Sequence, residues 1–300
     1  MRTYVDGIPY EDRDARISLW DRSVRMGLGL RGRFLCRKGS FFALDEQLEQ
    51  LQNTAKELGM PFVWEPAATK EALASTYDIN DFDGEEALLE LILTAGAEPI
   101  GDEKEGSAAG GEESPKKEKK DAEEKIFAHP ALAILAEKVL RTERPPIRMK
   151  LLRDSDLSAA TVLRERCLLG QTTTALARTR AGGGGILLGT DGNVVACTEG
   201  EFFAVSNGNL WAPEAPVATV ERTIALELLG DLERPCTVRT VGPKELNGVS
   251  ECFVLTDRWE VVPVGAIGKA VIGGGKAGPV AAVLAADLLK KLWTKAKAPF

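Results

Sequence analysis

The chain has 300 residues, 44% of them hydrophobic and 28% charged, with a formal net charge of −7. It can bury one large core or two smaller ones, and its acidic balance lacks the footprint of a nucleic-acid binder. No apolar run approaches the roughly 18 residues that cross a bilayer, and the start, MRTYVDGIPYEDRD, is too polar for a signal peptide, so a cytoplasmic protein with no membrane partner is expected.

In chain order, Leu44, Leu48, Leu51, Ala55 and Leu58 form one apolar stripe of a helix that Gly59 stops. Gly101 to Lys125 has no apolar residue larger than alanine and sets nine acids against six lysines, so it is neither a basic patch nor able to offset its ordering entropy. A disordered insertion is expected there, between Glu85–Thr94 and Pro130–Leu140, where a first domain hands over to a second. Thr172–Ala181 reads as a helix. Gly182 to Gly185 precedes a strand and lacks a following Lys-Ser/Thr, which favours a flexible connection over a phosphate loop. Asp191-Gly192 and Asn207-Gly208 are two-residue turn signals, so Ile186–Leu188, Asn193–Cys197, Glu201–Ser206 and Asn209–Trp211 are expected as an antiparallel meander. Val217 to Leu229 reads as a helix ending at Gly230, and Pro279 opens a last amphipathic helix to about Trp293. Cys36, Cys167, Cys197, Cys236 and Cys252 are scattered without a CxxC pair, and His129 is the lone histidine, which argues against disulfides and zinc.

The meander, with Gly192, Val194, Phe203, Gly208 and Pro213, resembles the class IV aminotransferases, the pyridoxal-phosphate family of branched-chain and D-amino-acid transaminases and aminodeoxychorismate lyase. The likeness extends over most of the chain. Val5-Asp6-Gly7, Asp12 to Ser18, Asp21-Arg22 and Gly27-Leu28-Gly29 look like the family's opening, Glu251-Cys252-Phe253 with Val262-Pro263-Val264 like its last strands, and Gly275 to Pro279 like the entry to its closing helix. The resemblance implies an α/β (α+β) protein of two domains, about 1–145 and 146–300, with mixed or antiparallel sheets and flanking helices. It also implies a homodimer with a site at the domain junction.

The family's chemistry needs a lysine for the Schiff base, a glutamate beside the pyridine nitrogen and donors for the phosphate. By the resemblance, the lysine position falls at or near Cys167, and no lysine lies between Leu151 and Pro243. The glutamate position holds Ala196. Glu199 lies three residues on, and strand alternation puts it on the opposite face unless a bulge brings it round. The arginine position is Leu35, and Arg33 and Arg37 share its strand face, so a two-residue slip would restore an arginine there. The phosphate loops read Ala218-Thr219-Val220-Glu221-Arg222 and Leu255-Thr256-Asp257, placing Glu221 and Asp257 where a dianion should bind. The joint pattern points to a fold kept without its cofactor, with a small-molecule ligand or interaction role in the vacated cleft. The alternative is an active pyridoxal-phosphate transaminase or lyase that uses Lys150. A third reading makes Cys167 a nucleophile activated by Arg164 and Arg166, with the one histidine far away in sequence.

Overall fold

The computed structural model describes residues 1–60, 64–97, 130–142, 144–153, 168, 174–175, 178–179, 181, 184–215 and 219–299. The insertion expected at 101–125 and half of the helix expected at Thr172–Ala181 lie outside these residues, and Thr174, Ala175, Arg178, Thr179 and Ala181 are helical.

The first half builds a six-stranded sheet in the order β2-β1-β6-β5-β3-β4, with β1 (Arg2–Val5), β2 (Ile8–Glu11), β3 (Gly29–Arg37), β4 (Ser40–Phe41), β5 (Glu86–Thr94) and β6 (Leu132–Lys138). Every neighbouring pair is antiparallel. Between β2 and β3 a short helix α1 (Arg22–Met26) ends at Gly27, whose φ of +70° favours glycine. Period-two alternation sorts β3 into two faces. Leu30, Phe34 and Cys36 meet Leu89 and Leu91 of β5 in a core roofed by α2 (Leu44–Glu57) and α3 (Pro66–Ile79). The expected stripe Leu44, Leu48, Leu51 and Ala55 is the buried face of α2. Arg31, Arg33 and Leu35 take the other face of β3.

The second half builds a nine-stranded sheet in the order β12-β11-β10-β13-β14-β7-β8-β9, with β15 beside β14. Its strands are β7 (Ile147–Arg153), β8 (Gly184–Leu188), β9 (Val194–Cys197), β10 (Glu201–Ser206), β11 (Asn209–Pro213), β12 (Cys236–Arg239), β13 (Glu251–Leu255), β14 (Val261–Ile267) and β15 (Ala270–Val271). Pairs β7–β8, β14–β7 and β11–β12 are parallel. The two turn signals do make hairpins, β8–β9 and β10–β11, but the four strands are not one meander. β9 ends the sheet's path and is not laddered to β10, which pairs with β11 and β13; the bridge Cys197–Gly200 closes the turn between them. The sheet curls, so that Val194 N–H reaches the Val241 carbonyl at 2.8 Å, and the curl encloses Ile186, Phe202, Trp211, Cys252 and Val264.

The outer face of this sheet carries Phe203, Phe253 and Leu255, packed under α4 (Val220–Asp231) and α5 (Pro279–Lys295). Helix α4 starts at Val220, three residues later than the sequence suggested, because Thr219 is extended and its hydroxyl accepts the Arg222 N–H as an N-cap. Leu35, Phe42, Leu88 and Val139 from the first sheet join the same cluster, so the two sheets share a core. Arg141 ties them further, donating to Glu86 at 2.6 Å and to the Arg258 carbonyl at 2.9 Å.

Candidate functional site

A cleft of about 740 Å³ lies between the two sheets. The first sheet contributes Arg31 and Arg33 from β3 with Gln47 and Gln50 from α2. The second contributes the turn from Cys197 to Glu201, the loop from Leu255 to Arg258, Ile147 of β7 and Glu221 of α4. Arg33 sits opposite Glu90 in the β3–β5 register, which fixes their contact. Its Nε donates to Glu90 Oε2 at 3.0 Å and its Nη1 to Asp257 Oδ2 at 2.7 Å, while Arg31 Nη2 reaches the same Glu90 oxygen at 2.5 Å. Burial alone would push the Glu90 carboxyl up, but the Arg31 hydrogen bond and the charges of Arg31 and Arg33 hold it below the usual glutamate range.

A second ion pair closes the far wall. Glu201 Oε2 accepts from Arg222 Nη1 at 3.0 Å, Glu201 Oε1 accepts from the Thr219 hydroxyl at 2.9 Å, and both charged side chains are almost fully buried. Arg222 also donates to the Pro213 carbonyl. Glu199 accepts from Arg178 Nε at 2.6 Å, and Arg144 pairs with Glu260 at 2.9 Å. Gln47 Nε2 and Thr174 Oγ1, both on the cleft wall, are buried without a hydrogen-bond partner.

The expected site residues separate here. Leu35 is fully buried in the shared core, on the face from which Arg31 and Arg33 reach the cleft. Of the two arginines a slip offered, Arg33 is in the cleft, whereas Arg37 lies over the Trp293 ring. Ala196 pairs with Leu187 inside β9 and does not line the cleft. Glu199 corrects the alternation argument: β9 stops at Cys197, residues 198 and 199 form a turn, and Glu199 therefore faces the cleft. Thr256, Asp257 and Glu221 line it as well, while the side chains of Thr219 and Val220 border a separate hollow beside Phe41 and Lys295.

Lys150 is exposed on β7. Ile147, on the cleft, and Met149, in the curled core, flank it on the other face of the strand, so alternation turns the Lys150 side chain away. Cys167, Arg164 and Arg166 lie outside the described residues. Leu168, one residue beyond Cys167, packs against Gly29 at the head of β3. Gly184 and Gly185 belong to β8 and are not a loop. The sequence missed the roles of Gln47, Arg31 and Glu90. In EEALLELILT Glu90 is the one charge inside a run of leucines and an isoleucine, and that is the signal that would have found the last.

This donor set does not fit pyridoxal phosphate. The lining among the described residues has no lysine, Ala196 is not part of it, and the carboxylates of Glu199, Glu221 and Asp257 enter the same cleft as its arginines, which disfavours a phosphate dianion there. Among the described residues there is also no cluster able to hold a metal ion and no helix long and apolar enough to cross a membrane.

The fold is that of the fold type IV, or class IV, aminotransferases. The chain superposes on the crystal structure of a branched-chain aminotransferase from Thermoproteus uzoniensis solved with norvaline with a TM-score of 0.78, covering 98% of this chain and 95% of that one at 17% identity. In sequence it is 24% identical over 294 residues to a putative branched-chain-amino-acid aminotransferase of Methanocaldococcus jannaschii, which covers 93% of this chain and 92% of the relative. It is also 29% identical over 93 residues to the aminodeoxychorismate lyase of Bacillus subtilis, 31% of this chain and 32% of that protein. No family model matches.

Proposed function

We propose that this is a class IV aminotransferase-like protein whose cleft binds a small ligand without lysine–aldehyde chemistry. The observation that carries the reading is the cleft wall: arginines paired with carboxylates, no lysine among its described residues, and none in sequence from Leu151 to Pro243. A thiol at Cys167 forms no stable imine, and each charge-assisted hydrogen bond missing from a phosphate seat is worth about 1.5–3 kcal/mol, so losing several lowers cofactor affinity by orders of magnitude. The second reading is an active pyridoxal-phosphate transaminase or lyase on Lys150, favoured by the near full-length similarity to a putative branched-chain-amino-acid aminotransferase. It requires Lys150 to leave the face it occupies.

The two readings separate when the purified protein is mixed with pyridoxal phosphate. The first expects no visible Schiff-base absorbance from the folded protein; colour that disappears in Lys150→Ala establishes the second. The assembly proposed is a homodimer. Its support is the exposed apolar run Leu19, Trp20, Val24 and Met26 beside α1, a patch that a second copy would cover. Sedimentation at micromolar concentration tests it.

A further inference from the structure

We infer that Glu201 and Asp257 exclude phosphate-bearing anions from the cleft, so that its ligand is uncharged or zwitterionic and presents an acceptor to the Gln47 amide. The inference rests on the reading of this cleft as a ligand site that does not take pyridoxal phosphate, and it deepens that reading by assigning the ligand's charge class.

Two positive features at or behind the walls suit an anion on their own. Behind Glu201, which lines the cleft, lies the amino end of α4 with the buried Arg222 and the positive end of the helix dipole. Arg33 reaches into the cleft from β3 beside the loop that holds Thr256. Each is met by a carboxylate from within the chain. Glu201 takes Arg222 and the Thr219 hydroxyl that caps the helix, at 3.0 and 2.9 Å, and its side chain is only 9% exposed. Asp257 takes the Nη1 of Arg33 at 2.7 Å, while Glu90 takes its Nε. A phosphate entering here would have to displace a carboxylate already paired with the arginine and then remain beside it, and like charges in close contact disfavour each other.

The second, independent observation is the orphaned donor. Gln47 is 6% exposed, its Nε2 has no partner, and it forms part of the cleft wall together with the unpartnered Thr174 hydroxyl. A buried amide without a partner costs free energy, which an acceptor on a bound molecule recovers. A neutral carbonyl, amide or hydroxyl group serves this donor without confronting Glu201 and Asp257.

The probe is inorganic phosphate, titrated into the full-length protein and followed by phosphorus NMR line width and calorimetry. The wild type is expected to show no binding at millimolar phosphate. Asp257→Asn, at a half-exposed side chain that leaves the fold intact, is expected to gain at least about tenfold in phosphate affinity, and Glu201→Gln with Asp257→Asn more. Should the buried Arg222 left by Glu201→Gln prevent folding, the single variant Asp257→Asn carries the test alone. Submillimolar phosphate binding by the wild type, or an Asp257→Asn protein that binds phosphate no better than the wild type, overturns the inference. Neither result involves Schiff-base colour, so failure here is distinct from failure of the functional reading.

Discussion

Glu90 is where a single residue's ionisation bears on the whole cleft, because both β3 arginines that face the ligand space are held by it. Its folded-state pKa lies below the ordinary 4.5, so its ion pairs stabilise the fold above that value and their contribution is lost as pH falls through the lowered folded value. The wild type should therefore lose stability on acidification below about pH 4.5, and Glu90→Gln should flatten the dependence in that window. Urea midpoints measured in steps of pH check this, and an unchanged slope in the variant would contradict it. Leu35 makes the contrasting case. It lies one pleat from Arg33 on the same strand face, yet its neighbours are Phe42, Leu88 and Trp259, and an arginine there would be an unpaired charge inside an apolar core.

The turn between β9 and β10 decides what the cleft presents. Gly200 has φ of +138°, a conformation open to glycine, and a methyl group at its Cα would overlap the Leu255 carbonyl oxygen. That close approach lets Glu201 pair with Leu255 in register while Cys197 bridges back to Gly200, and it turns Glu199 inward. Gly200→Ala should destabilise by more than about 1 kcal/mol. It should also disturb the Arg178–Glu199 contact, which lowered denaturation midpoints and altered exchange of the Gly200 and Glu201 amides would report. At the other end of the same sheet, the Glu251 carboxylate accepts the Val280 and Ala281 N–H groups at 3.2 and 2.7 Å, a charge placed against the amino end of α5 where the dipole favours it. Gly278 leaves the room that carboxylate occupies.

Across the whole molecule, the cleft exists because two sheets are locked together beside it. Phe42 stands edge-on to Trp259 with ring centroids 4.7 Å apart, in a cluster that also holds Leu35 and Leu88 from one sheet and Phe253 from the other. The segment after α5 then pairs with β4 through Lys297 and Phe41. Phe42→Ala should cost about 3–5 kcal/mol, and it should lower a single unfolding transition. Hydrogen exchange of β3 and β13 amides should quicken together; exchange that quickens in β3 alone would show that the sheets unfold independently.

Local signals in the chain carried most of the elements. The Asp-Gly and Asn-Gly turns, the leucine stripe of α2 and Pro279 at the first turn of α5 each state a backbone preference that needs no partner. They are silent where neighbours outvote local preference. EEALLELILT, where no element is predicted from the sequence, is rich in helix formers yet forms strand β5, because β3 and β6 pair with it on both sides and its alternate residues fill two cores. The lysine-free stretch from Leu151 to Pro243 was legible because counting residues needs no coordinates, and the cleft has no lysine among its described residues. Which arginine enters, that Glu199 turns inward and that Lys150 faces away depended on where β9 ends and on how two distant sheets meet. Those are contacts between residues far apart in the chain, and their free energies exist only once the sheets have packed.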